Sequence, residues 1–199
     1  MADEFLKLPQ QEQRDVLTAA SAGMNMLPAV AEKDVWVCFV LNILFSIPER
    51  RPMVFKGGTS LSKVFGLIKR FSEDIDISVN FLQDYESPMS SKTKATRVRD
   101  EIEPKLQAYK NDVLLPALAN EASQFGLTVE PGDSDFEIHV NYPSVLATGI
   151  EYIKSRVKIE LSGRNETEPS KQVCPSGSPR GRGKRGDLVS LRSEMQRCF

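Results

Sequence analysis

The sequence predicts an α+β protein in which a small mixed β-sheet is flanked by helices. Three observations lead to this fold class: helical patterns come first in the chain, alternating strand patterns recur later, and a proline-interrupted helical stretch lies between them. With 199 residues, 40% of them hydrophobic, the chain can bury one good core, and two small domains remain an alternative.

The N-terminal part, residues 9–47, predicts two helices. Pro9 opens the first helix, which is expected to close near Gly23. Residues 29–46 predict a largely buried second helix that Pro48 stops. The apolar residues expected in the core of this helix are Trp36, Phe39, Val40, Ile43 and Leu44. Cys38 lies in the same run and is also expected in the core, and the three cysteines of the chain indicate no disulfide framework.

Residues 53–79 predict a strand–turn–helix–strand unit. The apolar run that starts at Met53 is broken by Gly57 and Gly58, and a helix with an apolar period follows. Thr59 and Ser60 are hydroxyl residues suited to capping that helix. The unit ends in SEDIDIS, which alternates as a strand does.

The remaining elements are a helical insert and a group of strands. Residues 95–125 predict a long helical stretch, kinked or broken at Pro104 and Pro116, after a polar loop over residues 87–94. Strands are expected within residues 127–161: two short ones around a Pro-Gly-Asp turn, and a third over residues 152–161.

Asp74 and Asp76 form the feature that carries most chemical information. Side chains two apart on a strand point to one face, so both carboxylates project together while Ile75 and Ile77 enter the core. Two like charges held side by side repel each other unless a cation or a bound proton lies between them. A divalent metal that also binds substrate phosphates is a common chemical reason for such a pair.

The glycine turn before that strand predicts a phosphate site. Between a strand and a helix, the backbone N–H groups of Gly57, Gly58, Thr59 and Ser60 can meet an anion, although the spacing is not that of a Walker loop. A purely structural glycine turn and a solvated strand edge are the alternatives for each half taken separately. Because the glycine turn and the Asp pair occur together within one unit, a functional site is favoured over these structural alternatives.

Further candidates lie around these two features. On the last strand Arg156, Lys158 and Glu160 share a face, which makes Glu160 the candidate for a third carboxylate and Lys158 a candidate for phosphate contact; an outer face of ion pairs is the alternative. Lys63, which with Lys56 flanks the glycine turn, is a further candidate for phosphate contact, with a solvated helix lysine as the favoured alternative, and Ser72 is a candidate for positioning the carboxylates. The only histidine, His139, is expected to be a structural residue of the sheet with its hydrogen bonds satisfied, and a single histidine excludes multi-histidine metal sites.

The run KGGTSLSKVFG…RFSEDIDIS resembles the nucleotidyltransferase toxins of the AbiEii/AbiGii group, within the DNA polymerase β-like nucleotidyltransferase superfamily. Gly57, Gly58, Thr59 and Ser60 match the first half of the family motif, and Asp74 with Asp76 match its second half. The segments VNYPS and RVKIELSG extend the resemblance over roughly residues 35–165.

This resemblance implies a polymerase β-like fold and a metal-dependent transfer of a nucleotide from a nucleoside triphosphate, with Mg²⁺ or Mn²⁺ as the expected ion. It also implies a third carboxylate from a later strand, a cognate antitoxin regulator as partner, and a role in abortive phage infection. Some members of the wider group modify tRNA, so an RNA acceptor is expected. The mixed-charge N-terminus without a signal peptide and the absence of a bilayer-length apolar run favour the cytoplasm and no membrane partner.

The C-terminal part departs from the family. Residues 1–165 are expected to form the nucleotidyltransferase-like domain and residues 166–199 a disordered basic tail, since residues 171–199 hold seven Lys or Arg against two Asp or Glu. Relatives continue into a helical half with further motifs, so one hypothesis is a truncated or out-of-frame ending, which leaves an inactive remnant that binds only nucleotide or antitoxin. The other is an active enzyme with a basic arm for nucleic acid. A metal-binding structural domain without chemistry is a third reading.

Overall fold

The computed structural model describes residues 2–57, 74–81, 92–146 and 154–163. The helices are α1 (Ala2–Phe5), α2 (Gln10–Met24), α3 (Pro28–Ser46), α4 (Lys92–Tyr109) and α5 (Leu115–Ser123), with a π-helical turn, Lys110–Leu114, between the last two. The strands are β1 (Met53–Lys56), β2 (Asp74–Val79), β3 (Thr128–Pro131), β4 (Glu137–Asn141) and β5 (Arg156–Ser162).

The two predicted N-terminal helices are confirmed. Pro9 precedes the first residue of α2, and the helix ends at Met24 because Asn25 adopts the left-handed conformation, with a φ of 52°. Gly23 is therefore the penultimate helical residue rather than the stop. Helix α3 lies in the interior, and every core residue predicted for it is buried, Cys38 included.

The described strands form one mixed sheet in the order β1-β2-β5-β4-β3. Strands β2 and β5 are parallel, and the other neighbouring pairs are antiparallel. This architecture confirms the predicted α+β class. The pattern of the last strand predicts a start at residue 152, but the strand begins at Arg156, because the Arg156 N–H donates 2.8 Å to the Lys154 carbonyl in a turn that precedes the ladder.

The sheet has one apolar face and one polar face. Alternate residues of the strands pack with α3, α4 and α5 in a single core, and several of them are fully buried: Ile75, Ile77, Ile138, Val157 and Ile159. The intervening residues project from the opposite face; those of β2, β4 and β5 are half-buried or, like Ser78 and His139, buried, while those of the edge strands β1 and β3 are exposed. The alternation of apolar and polar residues along the strands therefore places the apolar side chains in the core and the polar side chains on the opposite face of the sheet.

The helical insert differs from its prediction at two points. Helix α4 starts at Lys92, so the last residues of the predicted 87–94 loop are helical, and Pro104 lies inside the helix without ending it. Pro116 follows the π-helical turn directly, in the first turn of α5. A proline has no N–H to donate four residues back and its ring crowds that carbonyl, which accounts for a wider turn there.

The predicted helix after the glycine turn and the predicted C-terminal tail lie outside the described residues. Within the described part of the chain, none of the helices combines the length and the apolar character needed to cross a membrane.

Candidate active site

The candidate active site lies on the polar face, where β1, β2 and β5 adjoin. In the ladder Asp76 is opposite Lys56 of β1 on one side and opposite Glu160 of β5 on the other. Asp74 is opposite Lys158. Residues in register on neighbouring strands have Cβ atoms about 4.5–5.5 Å apart, so this pairing brings three carboxylates and two ammonium groups together.

Lys158 is the internal cation of this cluster. Its Nζ donates to Glu160 Oε1 at 2.5 Å and lies 3.4 Å from Asp74 Oδ2. The hydrogen bond to Glu160 raises the pKa of Lys158, burial opposes the shift, and the Asp74 charge adds to it. The lysine therefore remains charged at neutral pH and offsets part of the carboxylate repulsion.

The surroundings of Asp76 disfavour the ionised form of its carboxyl group. Burial is the largest cause that raises the pKa of its carboxyl, and the charges of Glu160 and Asp74 raise it further. Lys56 and Lys158 act in the opposite direction without cancelling the shift. A carboxylate whose ionised form is disfavoured by its like-charged neighbours is stabilised by any further cation that it binds.

Lys56 is held beside Asp76 through a hydrogen-bonded pair of serines. Its Nζ donates to Ser162 Oγ at 2.7 Å, and Ser162 Oγ in turn donates to Ser78 Oγ at 3.4 Å. The sequence pattern indicates Lys56 only as a residue that flanks the glycine turn. The strand alternation could have placed it on this face, but its position opposite Asp76 depends on a strand register that the sequence does not state.

Gly57 touches the carboxylate directly. Its φ is +77°, and a Cβ placed on it would lie 1.9 Å from Asp76 Oδ2. Only glycine allows both this conformation and this approach of the backbone. The chain therefore leaves β1 with its backbone against the Asp76 carboxylate, a constraint that the Gly-Gly pattern alone did not reveal.

The other nucleotide-binding candidates, Gly58, Thr59, Ser60, Lys63 and Ser72, lie outside the described residues. The predicted contact between glycine turn and phosphate remains a prediction, as do the roles assigned to the described candidates. The structure brings Gly57, Asp74, Asp76, Lys158 and Glu160 into one cluster on one face.

The donor set fits a hard divalent cation. Mg²⁺ and Mn²⁺ are bound mainly by oxygen atoms, and one or two carboxylates together with substrate phosphates form a common set of ligands for Mg²⁺. Asp74, Asp76 and Glu160 offer six carboxylate oxygens on two adjacent strands. The ammonium of Lys158 lies between two of these carboxylates, those of Asp74 and Glu160. Its position shows that a positive charge is stabilised there.

His139 lies on the same face, one strand beyond Lys158. It is a buried sheet residue, as predicted, but its hydrogen bonds are not all satisfied: in the described structure Nε2 has no hydrogen-bond partner. The prediction failed because the strand register places Arg156 against Nδ1 and leaves only a more distant carboxylate, that of Glu137, near Nε2.

A family model described as the nucleotidyl transferase AbiEii toxin of type IV toxin–antitoxin systems matches residues 42–177 of the chain. The match covers well over half of the sequence and includes the glycine turn and all five strands of the sheet. Neither the search among curated proteins nor that among solved structures gave a match.

Proposed function

The chain belongs to the AbiEii family of nucleotidyltransferase toxins, and we propose that it transfers a nucleotide from a nucleoside triphosphate to an RNA acceptor such as tRNA. The reaction would depend on Mg²⁺ or Mn²⁺ held by Asp74, Asp76 and Glu160. The observation that supports this proposal most directly is the register that sets Asp76 opposite Glu160 while Asp74 and Asp76 share one face.

The carboxylates have the main part in this mechanism. A bound divalent cation would neutralise charge on the triphosphate and on the leaving pyrophosphate. Asp74 and Asp76 would hold the ion from one strand and Glu160 from the neighbouring strand, where it would also help to position the acceptor hydroxyl. Because the protein forms no covalent bond to the nucleotide, positioning and electrostatics supply the rate enhancement.

The cations and the glycine turn orient the triphosphate. Lys158, which contacts Glu160 and Asp74 in the structure, would bind a phosphate oxygen of the nucleotide. The backbone from Gly57 to Ser60, with Lys63 in the following segment, receives the β- and γ-phosphates, and Ser72 orients the carboxylates. The requirement for glycine at residue 57 supports this role, since a side chain there would fill the space beside Asp76.

Family membership implies a cognate antitoxin as partner. We infer that the antitoxin restrains a toxin whose activity arrests growth during phage infection, in the cytoplasm. The polar face of the sheet is the surface where nucleotide and acceptor would meet.

The test incubates the purified chain with Mg²⁺, total tRNA and each radiolabelled nucleoside triphosphate in turn. Asp74→Asn and Asp76→Asn should each lower incorporation of label by about 10²-fold or more, as expected for loss of an electrostatic group in a transfer site. Asp112→Asn is the matched control, because Asp112 is exposed on the π-helical turn. It should leave the rate unchanged.

The alternative function is an inactive relative that binds nucleotide or antitoxin only. No incorporation with any nucleotide, in a preparation shown to be folded and to bind nucleotide, would contradict transfer and support that alternative. Equal incorporation by the wild type and both site variants would contradict the assignment of the carboxylates.

A further inference from the structure

The geometry points to a second metal site, separate from the carboxylate row formed by Asp74, Asp76 and Glu160. In this second site Asp133, Glu137 and His139 would bind a borderline divalent transition ion such as Zn²⁺. These residues lie on the β3–β4 turn and the start of β4. One ligand atom from each lies within 4.8 Å of the others. A mixed set of one imidazole and two carboxylates suits Zn²⁺ better than Mg²⁺, which prefers oxygen alone.

The buried imidazole is the first observation that carries this inference. His139 is 3% exposed, and among the described residues its Nε2 has neither a donor nor an acceptor. Glu137 Oε2 lies 3.7 Å from Nε2, which is too far for a hydrogen bond. Two donors bound to a tetrahedral zinc at about 2.0–2.1 Å would be about 3.3 Å apart, so a small movement of Glu137 admits the ion.

The hairpin turn holds the two carboxylates in place. The Asp133 N–H donates to Glu137 Oε2 at 3.1 Å, which brings the start of the turn over that side chain. The Gly132 N–H donates 2.9 Å to the Glu137 carbonyl, and the Glu137 N–H donates 3.1 Å to the Ser134 carbonyl. A Cβ on Gly132 would lie 2.3 Å from that of Glu137, so the close approach requires glycine. The turn thus keeps Glu137 close to a ligating position before an ion arrives, while the exposed Asp133 side chain adjusts on binding.

Arg156 competes with the ion. Its Nη1 lies 3.1 Å from His139 Nδ1, and its Nη2 lies 3.9 Å from Asp133 Oδ2. A guanidinium has only donors, so Nδ1 accepts and the proton of the neutral ring is on Nε2. Ligation through Nε2 moves that proton to Nδ1, and Arg156 must then release the ring. The site therefore exchanges a bound guanidinium for a bound metal.

The position of the site gives it a consequence for the sheet. His139 is opposite Lys158 and Glu137 is opposite Glu160 in the ladder. A bound ion would join the β3–β4 turn to the sheet and add positive charge one strand from Glu160. The inference does not depend on nucleotidyl transfer.

The test uses the fact that His139 is the only histidine of the chain. Tag-free protein labelled with ¹⁵N-histidine gives one imidazole, whose two nitrogens report protonation and ligation separately by NMR. Without metal we expect a bare Nδ1 and a protonated Nε2. One equivalent of ZnCl₂ should shift Nε2 to the value of a ligated nitrogen and place the proton on Nδ1.

Variants separate this site from the carboxylate row. Asp133→Asn is suited to folding, because the side chain is 82% exposed, and it should weaken zinc binding by about tenfold or more. Asp135→Asn, an exposed carboxylate of the same turn, is the matched control and should change nothing. The Asp74→Asn/Asp76→Asn protein should keep the imidazole response, and Arg156→Gln should bind zinc more tightly than wild type.

Three results would overturn the proposal. The first is an unchanged imidazole spectrum in excess zinc. The second is a response that disappears equally in Asp133→Asn and Asp135→Asn. The third is a response that disappears in the Asp74→Asn/Asp76→Asn protein, which would assign the zinc to the carboxylate row.

Discussion

At the scale of single residues, Gly57 is the position where backbone conformation and site chemistry depend on each other. Gly57→Ala places a methyl group at a positive φ and against Asp76 Oδ2. We expect the free energy of unfolding to fall by about 1–2 kcal/mol from the left-handed conformation alone, with further loss from the collision. Urea denaturation measures this change.

Gly23→Ala is the control for that substitution. Gly23 lies inside α2, and nothing is within 4 Å of an added Cβ. It should stabilise the protein by up to about 1 kcal/mol, as replacement of a helical glycine by alanine does. Equal effects of the two substitutions would show that Gly57 has no special constraint.

Asp76 links the site to pH. Burial and the neighbouring charges of Glu160 and Asp74 raise its pKa in the folded protein, so the ionised carboxylate costs stability. This loss of stability is absent below the ordinary aspartate pKa, where the carboxyl is protonated in both the folded and the unfolded protein. It grows as the pH rises towards the raised pKa of the folded protein, and it is complete above that pKa. In metal-free buffer Asp76→Asn should therefore raise the Tm at pH 7, and the difference from wild type should shrink as the pH falls below about 4.

Two comparisons complete this prediction. Mg²⁺ should raise the Tm of the wild type more than that of Asp76→Asn, because the ion relieves the same repulsion. Asp112→Asn, at an exposed position outside the site, should show neither effect. A lower Tm for Asp76→Asn at pH 7 would contradict the electrostatic account.

At the scale of elements, Glu32 joins α3 to the segment that follows β4. Its Oε2 accepts from Ser144 Oγ and its Oε1 accepts from the Val145 N–H, both at 2.7 Å, and Glu32 is 3% exposed. Arg14 of α2 also donates to the Val145 carbonyl. Glu32 is therefore the buried carboxylate of a connection to which Arg14 also contributes.

Glu32→Ala removes both acceptors and leaves a buried N–H unsatisfied. We expect the free energy of unfolding to fall by about 1–3 kcal/mol, measured by urea denaturation. Glu32→Gln, which keeps one acceptor oxygen, should cost less. As a control, Glu121→Ala at an exposed position of α5 should change the free energy of unfolding by no more than about 0.5 kcal/mol. If Glu32→Ala changed it equally little, other contacts would hold the segment that follows β4.

Local periodicity predicted the helices and strands better than it predicted which of them lie next to each other. The apolar stripe of α3 and the Asp-x-Asp face of β2 follow from periods of 3.6 and 2, so they were predictable from the sequence. The parallel pairing of β2 with β5 joins residues more than 80 positions apart, and no local pattern states it. The contact of Gly57 with Asp76 depends on the β1–β2 register, and the unpaired nitrogen of His139 depends on the β4–β5 register and on side-chain geometry, so neither was predictable.

At the scale of the whole molecule, the described strands and helices enclose a main core and a small second cluster of Phe5, Leu17, Ala31, Val35 and Val145, while the family match extends to residue 177. The sheet divides the molecule into an apolar side covered by α3, α4 and α5 and a polar side that carries both candidate metal sites. We propose that the nucleotidyltransferase-like domain lies within residues 1–165 and that residues 166–199 are not needed for its core.

Deletion of residues 178–199 tests that proposal, because it removes only the part beyond the family match. We expect the free energy of unfolding to change by less than about 0.5 kcal/mol in urea denaturation. A large fall in stability, or the absence of a cooperative transition, would place the segment inside the folded domain.

The same deletion also tests the hypothesis of a basic arm, because the removed residues hold six Lys or Arg against two Asp or Glu. If the segment binds RNA, the deletion should make the slope of log affinity against log salt shallower by about 0.7 for each phosphate that the arm neutralises on a single strand. A full-length variant with those six basic residues changed to Gln should match the deletion in salt dependence. Unchanged RNA binding in both proteins would exclude the arm.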